Sequence, residues 1–384
     1  MFVMQEISAP ARGVLVKDLT VCVATKHYSP GLRNTLHAWN EKHAVLVFVE
    51  TEDGALGVGE AWCDGGAPET VASLIAKDLK NLVIGRPVWA IEQFHARALQ
   101  TNVMSAKGGI LYAATSAVDI ALWDALARTA GLPLYRLLGG FTDSVQVYGS
   151  GGMYRDGYGP EALARDMAEV VARGFAGVKI KGGGVPASED VARAAAVRAA
   201  IGPAARLMVD VMFCLGVREA IRLGHALRPY DLHFLEAPTA RTDLRGWAEV
   251  RQAIGIPIAG PELESGLHVF RSALELGAVD LLQADACVCG GITAIRRIAA
   301  LAQAFHRTMT LHCSGSAVAL AANAHAAAAS CNCESIEMHL LHKTLFERLW
   351  SAGYRVADGR LHLPPAAGLG IDLKPDDPAL KRVG

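Results

Sequence analysis

Two rhythms of hydrophobic and polar positions divide the chain. Apolar and polar residues alternate over 14–24 and 44–60, the period of strands with one exposed face, and Glu52-Asp53-Gly54 supplies a turn inside the second run. Between these runs, 26–43 reads as a long polar loop carrying His27, Arg33, His37 and Lys42. Helical spacing takes over at 68–81, 90–99 and 113–130, the last ended by Gly131 and Pro133. Strands first and helices after is an α+β order, and residues 1–140 are expected to form a first domain.

From Val145 the pattern changes. Short apolar runs at 145–149, 177–181, 206–210, 232–236, 256–260, 280–284, 308–312 and 334–337 alternate with seven Ala-rich segments of helical period. Each gap is long enough for a right-handed crossover, so the runs predict parallel strands. Eight of them in about 195 residues predict a closed α/β barrel of the TIM type rather than an open doubly wound sheet. Gly182-Gly183-Gly184 lacks the spacing and the downstream acid of a dinucleotide-binding turn. Asp358-Gly359, between two short alternating runs, predicts a final hairpin.

Composition agrees with a large buried core: 52% of the 384 residues are hydrophobic, which excludes a disordered polymer. Lys and Arg number 37 against 38 Asp and Glu, a net charge of −1, so neither nucleic acid nor an anionic membrane is an expected partner. The N-terminal residues show no secretory pattern, and the second half of the uncharged stretch 308–333, with Asn323 and His325 inside it, reads as a buried helix. Eight cysteines without a signal fit reduced thiols and a cytoplasmic location. The pairs Cys287/Cys289 and Cys331/Cys333 are spaced more tightly than structural zinc prefers, so packed thiols are the expectation over a metal clip.

The chemistry lies where the apolar runs end. Lys181, Asp210, Glu236, Glu262, Asp285, His312 and Glu337 follow one another at steps of 23 to 29 residues. One βα unit is about that long, so each step returns to the C-terminal rim of the barrel, where active sites are built. Lys179 and Lys181 point to one face of their strand, and two neighbouring ammonium groups should depress each other's pKa. Asp210, Glu236 and Glu262 on successive strands would repel one another unless a cation sits among them. All-oxygen ligation suits magnesium; salt bridges to barrel arginines are the alternative. Asp285 beside His312 would fix the imidazole tautomer and raise its basicity. Glu337 reads either as a protonated acid or as a solvent cap on the last strand.

At these residues the chain resembles the enolase superfamily, mandelate racemase subgroup. The resemblance runs through 117–124 (Ala-Val-Asp-Ile-Ala-Leu-Trp-Asp), Gly131-Leu132-Pro133, Leu137-Leu138-Gly139-Gly140, Val178-Lys179-Ile180-Lys181 and Leu235-Glu236-Ala237-Pro238. It continues in Gln283-Ala284-Asp285 with Gly290-Gly291-Ile292-Thr293, and in Gly368-Leu369-Gly370. It implies an α+β capping domain at 1–140, a modified (β/α)7β barrel at 141–345, and a segment at 346–384 that returns to the cap. It further implies one magnesium ion per subunit on Asp210, Glu236 and Glu262, Lys181 as base, and His312 with Asp285 as the opposing acid or base. Lys179 would contact the substrate carboxylate and Glu337 the enolate oxygen. Two departures stand out: Asp210-Val211-Met212 puts a thioether where the family often has Asp-Ala-Asn, and Gly260-Pro261 precedes Glu262 where Gly-Gly or Gly-Asp is usual.

The implied activity is removal of the proton next to a carboxylate. The first expectation is a hydro-lyase that dehydrates an acid sugar to a 2-keto-3-deoxy acid, with His27, Arg33, Asn34 and His37 of the 26–43 loop meeting a polyhydroxylated, even diacid, substrate. The alternative is an isomerase that racemises or epimerises a 2-hydroxy acid by 1,1-proton transfer, and a remoter one is a metal-binding barrel without catalysis. A zinc hydrolase using His339, His342 and His312 fails on spacing. A homo-oligomer is expected.

Overall fold

The computed structural model describes residues 13–63, 68–101 and 108–383. Its first sheet is antiparallel, built from β1 (Val16–Arg33), β2 (Ala38–Thr51) and β3 (Leu56–Ala61). The alternation that predicted an exposed face has another cause. Val45, Val47 and Val49 pack on the helical side with Val71, Ile75 and Leu79, whereas Ala44, Leu46 and Phe48 join the main core. Both faces are buried, the second beneath the barrel and the C-terminal segment.

The expected 26–43 loop is mostly strand. β1 and β2 continue past the body of the sheet as a two-stranded ribbon, pairing Thr25 with His43, His27 with Glu41 and Arg33 with Ala38. The face that the ribbon turns to the barrel buries the polar Asn34 and Lys42 alongside Leu32, so its strand character leaves no hydrophobic signature. Its tip is an Asx turn: Asn34 Oδ1 accepts the backbone N–H groups of Leu36 and His37 at 2.8 and 2.7 Å.

β3 lies hard against the helix Ile110–Thr129. A Cβ on Gly59 would fall 2.0 Å from the carbonyl oxygen of Ala117, so only glycine allows the approach. That helix is long and apolar enough to cross a bilayer, and its composition follows from burial inside the protein. Asp124 on it ties three segments together, accepting from Val58 N at 2.8 Å, Leu369 N at 2.6 Å and Arg128 Nε at 3.0 Å.

The barrel strands are β4 (Ser144–Ser150), β5 (Gly177–Lys181), β6 (Arg206–Asp210), β7 (Leu232–Glu236), β8 (Ile258–Gly260), β9 (Leu281–Ala284), β10 (Thr308–Leu311) and β11 (Cys333–His339). All neighbours are parallel, and β11 pairs with β4 to close the ring. One helix follows each of the first seven strands. Tyr148, Met208, Phe234, Ala259 and Leu281 fill the interior as a cluster of their own, so the barrel is a packed core rather than a pore. The hairpin of β12 (Arg355–Ala357) and β13 (Arg360–His362) forms around Asp358-Gly359 and adds to β4, and β14 (Leu380–Val383) pairs with β1. All eight cysteines are free, with Cys287 and Cys289 packed in the core.

Candidate active site

The rim at the C-terminal ends of the strands carries the charged ladder, and all of it is buried. Lys179 Nζ donates to both oxygens of Glu236, at 2.8 and 2.7 Å, and to Glu337 Oε2 at 2.8 Å. Lys181 Nζ donates to Asp210 Oδ2 and lies 3.4 Å from Met212 Sδ. Lysines, not barrel arginines, therefore partner these carboxylates. The expected mutual depression of the two lysines fails for Lys179. Burial pulls its pKa down, but Glu236 and Glu337 more than offset that and hold it well above the ordinary value.

The loops after β6 and β7 are strained: Met212, Phe213 and Ala237 take φ of 50°, 60° and 51°. Such backbone persists only where its surroundings over-determine it. Gly260 at the end of β8 has φ of +149°, and a Cβ there would meet the Trp247 ring at 2.3 Å. Glycine and tryptophan together thus set the direction in which the chain leaves toward Glu262.

Glu262 is the odd member of the carboxylate set. Its Oε2 is buried without a hydrogen-bond partner. Burial first, then the charges of Glu236 and Asp210, push its pKa to about 8. Glu236 is also pushed up by burial, with Lys179 opposing. Among the described residues no three His, Cys, Asp or Glu side chains are gathered closely enough to enclose an ion. The reason is local: Asp210 and Glu236 turn onto lysine ammonium groups. The donor set still fits a hard divalent cation, because three oxygen donors repel one another and Glu262 has an oxygen that nothing in the protein satisfies.

His312, just past β10, offers Nδ1 to Asp285 Oδ2 at 2.8 Å, and its Nε2 lies 3.9 Å from Glu337 Oε2. Burial works against the charged ring, but the Glu337 carboxylate and the Asp285 hydrogen bond raise its pKa to about 9. Asp285 is itself held: Oδ1 accepts from Cys287 N at 2.8 Å and from Asn323 Nδ2 at 3.0 Å. Glu337 is neither a protonated acid nor a solvent cap. It is 1% exposed, and although burial opposes its charge, Lys179, His312 and Lys181 draw its pKa down to about 2.

A cavity of about 40 Å³ lies between cap and barrel. Lys181, Met212, Glu262 and His312 line it from the barrel, and Asn34, Trp39, Lys42 and Trp62 from the cap. The structure does not bring His27, Arg33 or His37 to it. All three are exposed, His27 lying 3.5 Å from Glu41 and Arg33 stacking 5.1 Å over the Tyr154 ring. His339 lines the cavity with His312, while the His342 side chain is outside the described residues. A larger hollow of about 530 Å³ opens where β6 and β7 begin, at the other end of the barrel, and there Arg198 is occupied by backbone carbonyls.

Sequence reasoning missed Glu60, Gln283 and the role of Asn323. Glu60 on β3 accepts from Ser316 N at 3.0 Å, Ala319 N at 3.0 Å and Ser316 Oγ, capping the helix Ala317–Ala328 from the other domain. Gln283 donates to Glu236 Oε2 at 3.0 Å. An amide inside an Ala-rich apolar helix was the available sign for Asn323, and an acid closing an apolar strand the sign for Glu60.

Residues 17–139 match the family model for the mandelate racemase / muconate lactonizing enzyme N-terminal domain, and residues 162–377 match that described as enolase C-terminal domain-like. A 3,6-anhydro-alpha-L-galactonate cycloisomerase of Streptomyces coelicolor is 36% identical over 269 residues, 70% of this chain and 74% of the relative. An arabinonate dehydratase of Saccharolobus solfataricus is 31% identical over 330 residues, 86% of this chain and 88% of the relative. The crystal structure of a racemase from Streptomyces coelicolor A3(2) with bound magnesium superimposes with a TM-score of 0.86 at 30% identity, covering 94% of this chain and 97% of that one.

Proposed function

The chain belongs to the mandelate racemase/muconate lactonizing enzyme family of the enolase superfamily, and from that membership we propose that it dehydrates an acid sugar to a 2-keto-3-deoxy acid. The observation that carries this reading is that Lys181 and His312, the latter held by Asp285, line one cavity together with Glu262.

Asp210, Glu236 and Glu262 would hold magnesium. When bound, the ion would supply positive charge that stabilises a developing enolate. Lys179, held between Glu236 and Glu337, adds a fixed positive charge to the rim. Lys181, once it has given up its own proton, takes the α-proton from C2. The electron pair left at C2 forms the C2–C3 double bond as the C3–O bond breaks. His312 gives its Nε2 proton to the departing hydroxyl, which leaves as water, and the enol product ketonises. Asp285 keeps Nδ1 protonated and the ring oriented throughout. Glu337, an ionised acceptor, keeps Lys179 and the imidazolium charged rather than donating to the enolate oxygen.

Two groups that exchange protons in one cavity also suit 1,1-proton transfer, the second reading. Incubation with magnesium and an acid-sugar library distinguishes the two. A semicarbazide-reactive 2-keto product supports dehydration; deuterium uptake at C2 with no keto product overturns it in favour of epimerisation.

A further inference from the structure

The capping face of the cavity has a chemical bias that the reaction at C2 does not use. Trp39 and Trp62 both line it, and each keeps its indole Nε1–H buried with no hydrogen-bond partner. A buried, unmet donor is costly, so two on one wall call for a ligand that satisfies them. Asn34 has its Oδ1 filled by the Leu36 and His37 N–H groups, which leaves only its NH2 to offer. Lys42, 8% exposed, reaches the wall with an ammonium group 2.8 Å from Ser314 Oγ. Every polar group that the cap presents is therefore a donor, and one is a cation. The barrel opposite presents Glu262 with Lys181 and His312, and the carboxylates of Asp210, Glu236, Asp285 and Glu337 are buried in the same rim.

A sugar hydroxyl both donates and accepts, and a wall without acceptors leaves its proton unmatched. A carboxylate only accepts, takes several donors at once, and carries the charge that a buried ammonium favours. Resting on the acid-sugar reading above, we propose that the substrate is a dicarboxylic acid sugar, whose distal carboxylate is bound by Lys42 with the Trp39 and Trp62 indole N–H groups. Its proximal carboxylate sits at the C2 chemistry. The cavity of about 40 Å³ is smaller than such an acid, so admitting it requires the cap wall to give way, and the ribbon tip is held to the barrel by Thr35 Oγ1 donating to Gly182 O at 2.7 Å.

The test is calorimetric binding to the magnesium-loaded protein of hexarates and hexonates matched in configuration, galactarate with galactonate and glucarate with gluconate among them. A hexarate is expected to bind at least about 10-fold tighter than its hexonate. In Lys42→Met that preference should collapse to about twofold or less, whereas Lys42→Arg keeps most of it. Trp39→Phe and Trp62→Phe, which remove only the N–H side of a ring, should each weaken the hexarate about 3- to 10-fold and so test the wall even where a Lys42 variant folds poorly. Hexonates bound as tightly as hexarates, equal weakening of both by Lys42→Met, or no binding of either would overturn the proposal. Deuterium exchange at C2 is read separately on the same acids. A hexarate preference without exchange retires the dehydration reading and leaves the binding site standing, and exchange confined to hexonates does the reverse.

Discussion

His312 Nδ1 lies 2.8 Å from Asp285 Oδ2, and the second oxygen of Asp285 is tied to Cys287 N and Asn323 Nδ2. The carboxylate has no freedom to turn away, so the imidazole is held in one tautomer with Nε2 on the side of Glu337.

That arrangement makes a pH prediction. The folded pKa of His312, about 9, stands above the ordinary 6.5. Its contribution to stability is therefore full below about 6.5 and is lost as pH rises through about 9. Turnover that needs the imidazolium should fall over the same alkaline limb. Asp285→Asn should lower kcat by about 10²- to 10⁴-fold and move the limb to lower pH, read from pH–rate profiles and from the His312 ring resonances.

Replacing the two proton-transfer groups should have different effects. Lys181→Met is expected to abolish both product formation and C2–H exchange. His312→Gln should abolish product while about a tenth or more of the exchange survives, because abstraction and departure are separate tasks. Proton NMR in D2O distinguishes them; keto product from either variant would break the role assignment.

Glu262 carries the cost of a buried, unpartnered oxygen. Glu262→Gln should weaken magnesium binding by at least about 10-fold, measured by calorimetry. In chelator the same variant should melt at or above the wild type, because it removes a buried group repelled by Glu236 and Asp210. With magnesium at about 100 times its Kd, the wild type should be stabilised by about 2.7 kcal/mol and the order of melting reversed.

Glu60 joins the cap to the segment that follows His312. Glu60→Gln keeps one acceptor oxygen of the two and should cost about 1–3 kcal/mol of unfolding free energy. If Glu60 positions the His312 loop, kcat should fall about 10-fold with little change in KM, whereas a purely structural role would leave kcat alone once the protein is folded.

The barrel was legible because its signal is local. Four residues at each strand end and a step of one βα unit are enough to place Lys181, Asp210, Glu236, Glu262, Asp285 and His312 on one rim, and the strands form within one or two residues of the predicted runs. The ribbon was not legible. β1 and β2 run on through 26–43 with an irregularity between His27 and Leu32, so neither strand character nor facing could be read from alternation. Trp62 carried no sign of its place, since what brings it to the cavity is the approach of β3 to a helix of its own domain and to the barrel.

From the sequence alone, the order of the strands, their common direction and the identity of the rim residues follow, because chain handedness and the length of a βα unit leave few other solutions. What tertiary structure decided is which neighbours each charged group meets. Lys179 is raised rather than depressed, Glu337 is ionised rather than protonated, and Asn34, Trp39 and Lys42 turn inward where His27, Arg33 and His37 do not. Charge state and facing depend on distances between residues far apart in the chain, and only the closed fold sets those distances.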